Sequence, residues 1–368
     1  MKRLTVLGVL LFMSVALIGP GAAAAQNAPV QLIPVTGEQV IAVLSPDGHT
    51  LAVIDNVSFH NDYEVIPLHL PIQLVDLDTG AVTRLTGFTD NAWDVAFTPD
   101  GARLVSIHGN GEIIVWDIAS GTEITRFRGL PGVRDIAILP DGNTAVIQMQ
   151  AQYPLLSRWD LTTGYITALW TPQYDTYAEF RAQFAGGGIP EGAAALAAAP
   201  DGTWLAVAST YGRIWRWDLT SGQPTVLVDT ENTLPMFNIR SLTFAADGST
   251  LIYLDNQADV INLVDAATGA VKEAIPANTH FDPAVSADGS RIVWLDKDSG
   301  TLTQWQNGTT SDLAVDLSSV ALPDGVSMAP ASPTPAMFLT PDGLRLIFTG
   351  FYAPDTGANV IAVIDLTG

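Results

Sequence analysis

Few residues in this chain could do chemistry on their own. The five histidines, His49, His60, His69, His108 and His280, include no pair at the i, i+4 spacing that sets two imidazoles on one helix face for zinc. His60 and His69 bracket Asp62 and could share a metal, but histidines in a polar connection more commonly face solvent, so no metal is assigned. The absence of cysteine excludes both a thiol nucleophile and disulfides. No Gly-x-Ser-x-Gly elbow occurs either. Asp296-Lys297-Asp298-Ser299-Gly300 opens like a calcium loop, yet it lacks the third acid and the closing Glu, and it reads better as a turn. No catalytic residue and no cofactor is therefore assigned. Any site must be assembled from distant segments, which makes the elements that position them the next question.

Those elements repeat. Ser45-Pro46-Asp47-Gly48 recurs as Thr98-Pro99-Asp100-Gly101, Leu139-Pro140-Asp141-Gly142, Ala199-Pro200-Asp201-Gly202, Ala245-Ala246-Asp247-Gly248, Ser286-Ala287-Asp288-Gly289 and Thr340-Pro341-Asp342-Gly343, making seven copies spaced 41 to 60 residues apart. A period of this length marks a solenoid, propeller or array. In the second copy, residues 93–97 alternate into the turn and 102–107 alternate out of it. Runs at 112–117 and 123–127 follow, separated by Ile118-Ala119-Ser120-Gly121. Proline presets φ and Asp-Gly supplies the corner, so each copy is a hairpin extended to four short antiparallel strands, the unit of a propeller blade.

The third strand ends alike in most copies: Trp116-Asp117, Trp159-Asp160-Leu161-Thr162-Thr163-Gly164, Trp217-Asp218-Leu219-Thr220-Ser221-Gly222, and variants without Trp at residues 74–80, 263–269 and 363–368. On these residues the chain resembles the WD-repeat β-propellers, from about residue 30 to the end. Phe88 stands where that family has a histidine and Asn110 where it commonly has an aspartate. The resemblance therefore implies that the family's His–Ser–Trp–Asp network is broken in this blade, and that the degenerate repeats look like bacterial exported propellers of the WD and Tol-associated groups. Residues 160–164 with Trp170 faintly resemble the tryptophan docking motif of quinone-cofactor propellers, but Ala168 occupies the position of that family's Trp.

The fold expected is all-β: a seven-bladed propeller of four-stranded antiparallel blades. The last copy stops after its third strand, which would leave an open edge. Residues 29–33 have no other blade to join and should pair with 359–365, closing the ring. Turns after first and third strands leave one face of such a disc, and connections after second and fourth strands leave the other. The long insertions, 57–70, 171–192, 229–238, 318–335 and 350–358, are all of the second kind. That loop-rich face is the expected functional surface. Its candidate partner-binding residues are Trp93, Asp94, Arg134, Asp135, Arg240 and Phe281 at the channel mouth, with Asp282 and Gln39 beside them. Tyr63, Tyr177 and Tyr352 join them from the loops. Residues 175–184 read as a short helix capped by Asp175, with Tyr177, Phe180 and Phe184 on one face.

Lys2-Arg3, an apolar run to about residue 19, and Ala22-Ala23-Ala24-Ala25 read as a cleaved signal peptide over 1–25, followed by one domain over 26–368. This implies export to a periplasm, cell surface or medium, without stable membrane insertion. The formal net charge of −22 argues against nucleic acid as a partner. Most of the acids are turn aspartates, so turn chemistry and solubility account for much of that charge. The function expected is a non-catalytic recognition scaffold for a protein or peptide. The alternative is a secreted propeller enzyme, a lyase, hydrolase or quinone-dependent enzyme, with its site at the channel mouth. Ionisable side chains from different blades meeting within hydrogen-bond reach there would favour the enzyme; a sparse, aromatic-rimmed mouth would favour binding.

Overall fold

The computed structural model describes residues 30–36, 40–55, 70–129, 132–149, 156–170, 193–209, 212–230, 239–279, 281–313, 315, 336–353 and 358–367. They form seven four-stranded antiparallel sheets. Blade 2 runs Ala92–Phe97, Arg103–His108, Glu112–Asp117 and Thr122–Arg128 from the inside out, close to the strands read from its alternation. Blades 1 and 3 to 6 repeat this order along the chain.

Blade 7 is composite. Its sheet runs Met337–Leu339, Arg345–Ala353, Ala358–Asp365 and, outermost, Val30–Thr36. The N-terminal strand pairs from Val30↔Ile364 to Thr36↔Ala358, so the ring closes as the open edge requires. It is longer than the 29–33 read from the sequence: Pro34, Val35 and Thr36 extend it, with Pro34 opposite Val360. A proline is tolerated there because this is an edge strand, whose ring nitrogen need not donate to the ladder. The segment 350–358 also differs from the expected loop. The hairpin continues through Phe351↔Val360, Tyr352↔Asn359 and Ala353↔Ala358, leaving only residues 354–357 outside the described strands.

Each turn is held by its aspartate. Asp100 Oδ1 accepts from Thr98 Oγ1 at 2.6 Å and from Ala102 N at 3.0 Å, and Gly101 takes φ +69°. Ser286 and Thr340 make the same hydroxyl contact to Asp288 and Asp342. In the second turn type, Asp160 Oδ1 accepts from the amides of Thr162 and Thr163 at 2.8 and 3.0 Å. Gly269, which ends the equivalent turn of blade 5, combines φ +73° with a space in which a Cβ would lie 1.9 Å from the Leu227 carbonyl oxygen of blade 4. Only glycine fits both demands.

The core is divided among the seams. Each apolar cluster joins two neighbouring blades: Ile54, Ile72 and Leu85 of blade 1 meet Val95, Leu104 and Trp116 of blade 2, and the same holds for every successive pair round to blades 7 and 1. The outer strands of blades 2, 3, 4 and 5 each carry a register break. Such bulges blunt an edge that would otherwise accept another strand.

Candidate functional site

The channel wall is built from the inner strands. Counting back four residues from the first position of each Asp-Gly turn motif gives Ile41, Asp94, Asp135, Ala195, Ser241, Asp282 and Ala336, one from each blade. Inner strands of blades 2 to 5 are bulged around this level. Ser241 adopts φ +50°, a strained value for a residue with a side chain.

Asp94 and Asp135, from adjacent blades, meet and hydrogen-bond through their carboxyls. Two carboxyls can do this only by sharing a proton. Burial pushes the Asp94 carboxyl well above the usual range, and the neighbouring charge of Asp135 and their mutual hydrogen bond push it further. Asp135 is also raised by burial, but its bond from Asp94 and the Ile136 and Leu196 amides oppose the shift. The pair therefore holds one proton between its two carboxyls. Both residues retain some contact with water along the channel, while the surrounding walls supply the burial penalty. Their remaining lone pairs are used across the seams. Asp94 Oδ2 accepts from Ile136 N of blade 3 at 3.1 Å, and Asp135 accepts from Leu196 N of blade 4.

The other side of the channel is different. A cavity of about 460 Å³ opens against blades 5, 6, 7 and 1, lined by Ile41, Val43, Ser241, Ala336 and Phe338, with Asp282 as its ionisable wall residue. Asp282 is exposed. Phe281 is half-buried and packs on the cluster between blades 6 and 7, so it supports the scaffold as well as the rim. Trp93 is likewise half-buried: its indole lies against Gly109, where a Cβ would come within 2.5 Å of Nε1. The backbones of Arg134 and Arg240 lie on inner strands and that of Tyr352 on the blade 7 hairpin. Their side chains lie outside the description. Gln39, Tyr63 and Tyr177, the segment 57–69 with His60, Asp62 and His69, and the helix expected at 175–184 fall outside the described residues.

Sequence reasoning missed a second feature, inside blade 2. Trp116 Nε1–H donates to Ser106 Oγ at 2.9 Å, and Ser106 Oγ lies 2.9 Å from His108 Nε2. His108 Nδ1 is 2.9 Å from the Asp90 carbonyl oxygen. A carbonyl only accepts, so Nδ1 carries the proton and the serine hydroxyl donates to Nε2. Burial holds the imidazole below its usual pKa, consistent with this neutral form. The family's four-membered network is thus absent from this blade, as Phe88 and Asn110 led one to expect, but a three-membered His–Ser–Trp chain that the sequence reading did not foresee takes its place. Its histidine comes from the second strand, and Phe88 packs on it at 4.8 Å between ring centroids. The signal was the alternation Ser106-x-His108, which puts both on one face of the strand.

Among the described residues no cluster of His, Asp or Glu is arranged to hold a metal ion, and no helix is long and apolar enough to cross a membrane.

Comparison with known proteins agrees with this architecture. Residues 80–117, the outer strand of blade 1 through the third strand of blade 2, match the family described as "WD domain, G-beta repeat". The β-propeller domain of Cps50 (Swd1) from Myceliophteria thermophila superposes with a TM-score of 0.62 at 16% identity, covering 91% of this chain and 99% of that one. A chain of the mitotic checkpoint complex superposes with a TM-score of 0.60 at 16% identity, covering 99% and 100%. No curated protein matches the sequence. Ring and likeness together define a seven-bladed β-propeller, one stretch of which, from the outer strand of blade 1 through the third strand of blade 2, matches the WD repeat.

Proposed function

We propose that the chain is an exported, non-catalytic recognition scaffold that binds a protein or peptide partner across its loop-rich face. The observation that carries this reading is the placement of the long connections. The strand ends that anchor residues 56–69, 171–192, 231–238 and 316–335 all lie on the face opposite the tight Asp-Gly turns. A ring whose seams are each filled by a separate apolar cluster holds those ends rigidly, which is what a presenting scaffold needs. The likeness to a chain of the mitotic checkpoint complex, an assembly of proteins, is in keeping with such a role. Export rests on the basic-apolar-alanine leader over residues 1–25. The test is affinity capture from an extracytoplasmic fraction with residues 26–368, beside an Arg134→Glu/Arg240→Glu variant shown to be folded. A partner held by the parent and lost by the variant supports the reading; equal capture by both, or none, overturns it.

The Asp94–Asp135 pair specifically favours a second reading, since carboxyls sharing a proton are equipped for acid–base work. Against it, both carboxyls are engaged by amides of the next blade. A hydrolase or lyase activity abolished by Asp94→Asn in a folded protein would support the enzyme. Activity unaffected by Asp94→Asn and Asp135→Asn would exclude the pair.

A further inference from the structure

On the tight-turn side, a long side chain from the first position of the second strand seals the seam to the next blade in four of the seven blades. Arg103 Nη2 donates to the Gly142 carbonyl at 2.8 Å, joining blades 2 and 3. Arg291 Nη1 donates to the Gly343 carbonyl at 2.6 Å, and Arg345 Nη2 to the Gly48 carbonyl at 3.3 Å. In blade 4 that position is Trp204, and the Arg216 guanidinium lies over its ring at 4.2 Å.

Blades 1, 3 and 5 carry threonine there, Thr50, Thr144 and Thr250, and of these only blade 3 sets an arginine, in place of Leu74 or Leu263, on the neighbouring third strand. Thr144 stands at the position of Trp204, since Thr144↔Asp160 repeats the pairing Trp204↔Asp218. Arg158 stands at the position of Arg216, but with no indole to cover. A cleft of about 490 Å³ results between blades 3 and 4, within the roughly 300–1,000 Å³ range of small-ligand sites. Thr144, Arg158, Tyr165 and Thr167 line one side, and Thr220 and Ser221 the other. Tyr165 is 71% exposed, the most exposed of the large hydrophobic side chains described. Arg158 is exposed and donates no hydrogen bond among the described residues; its charge acts on the nearby Asp141 carboxyl, which is itself bonded to the Asn143 and Thr144 amides and the Thr144 hydroxyl. The carboxyl at the cleft, Asp160, is already spent on its own turn.

From this cleft we propose a binding site for a carboxylated saccharide. An exposed aromatic ring offers a platform for the apolar face of a pyranose. An exposed guanidinium that spends no N–H on a protein hydrogen bond offers a bidentate seat for a carboxylate, and the threonine and serine side chains offer partners for sugar hydroxyls. An acidic peptide fits less well. Strand addition needs a regular edge, and the outer strand of blade 3, Ile166–Trp170, is bulged at Leu169. The site lies away from the loop-rich face, so it stands or falls independently of the proposed scaffold role.

The experiment is calorimetric titration of the full chain with a glucuronic-acid-containing disaccharide, with cellobiose and hexaglutamate as comparison ligands. Saturable binding of the acidic disaccharide is expected, with cellobiose at least about tenfold weaker, equivalent to about 1.4 kcal/mol. Arg158→Gln and Tyr165→Ala should each weaken it by a similar factor, and Tyr165→Phe should not. Thr144→Trp, which copies the blade 4 arrangement, should abolish binding without lowering the melting temperature. The proposal is overturned by no saturable binding to the folded parent, by equal binding of cellobiose, by hexaglutamate binding that Arg158→Gln removes while the disaccharide does not bind, or by Thr144→Trp binding like the parent.

Discussion

Closure by the N-terminal strand makes a quantitative demand on stability. Ile33 is 2% exposed and Val35 is 3% exposed, and both enter the cluster formed with Leu51, Val53, Ile347 and Ile361 at the seam between blades 7 and 1. Burying two such side chains contributes about 3–6 kcal/mol. Deleting residues 26–35 also uncovers the third strand of blade 7, Ala358–Asp365, as a bare edge. Against a total of about 5–15 kcal/mol for a typical domain, that loss is severe. The milder variant Ile33→Ala should cost about 2–5 kcal/mol through lost burial and the cavity left behind. Gln31, exposed on the same strand, serves as control: Gln31→Ala should stay within about 0.5 kcal/mol. Urea unfolding followed by tryptophan fluorescence reads both. A deletion variant that unfolds with the parent, or Gln31→Ala costing as much as Ile33→Ala, would refute the reasoning.

Three other outcomes follow from named groups. Ser106→Ala leaves the buried Trp116 N–H and the His108 Nε2 without their partner, and should cost about 1–3 kcal/mol in the same assay; a neutral result would remove the hydrogen-bonded chain as a stabilising feature. Asp94 and Asp135 have folded pKa values raised above the ordinary aspartate value of 3.8, so the stabilisation linked to their protons is present below 3.8 and lost as pH rises through the folded values. The stability of Asp94→Asn/Asp135→Asn relative to the parent should therefore increase with pH above about 4, and a pH-independent difference would contradict the shared proton. The turn carboxyls have the opposite sign. Asp160 is held down at about 2 by the Thr162 hydroxyl and the Thr162 and Thr163 amides, and the Thr98 hydroxyl and the Ser221 amide lead the lowering at Asp100 and Asp218. Their stabilisation is present above 3.8 and disappears as pH falls toward 2, so the unfolding free energy should drop over that window, less steeply in Asp160→Asn; equal slopes would sink the assignment.

What could be read in the sequence was local. Asp47-Gly48 and its six counterparts prescribe a corner wherever they occur, because an aspartate bonding its own following amides and a glycine at positive φ act within a few residues. Alternation around these corners set the strands. The unpaired edge left by a last copy ending at its third strand called for a strand from the N-terminus, which Val30–Thr36 supplies. Even the level shared by Asp94, Asp135 and Asp282 was visible as a constant offset from the turns.

The tertiary structure alone decided what happens across the seams. Asp94 and Asp135 stand 41 residues apart. Whether they repel, pair or share a proton depends on how neighbouring inner strands bulge and which amides face them. His108 was invisible as the partner of Ser106 and Trp116 because it substitutes for a histidine that the resemblance placed elsewhere, at Phe88. Thr144 and Trp204 hold equivalent positions, yet one leaves a cleft and the other fills it. A side chain's own blade sets where it starts, whereas the volume and hydrogen-bond partners it meets belong to the next blade. That complementarity arises only when the ring is closed.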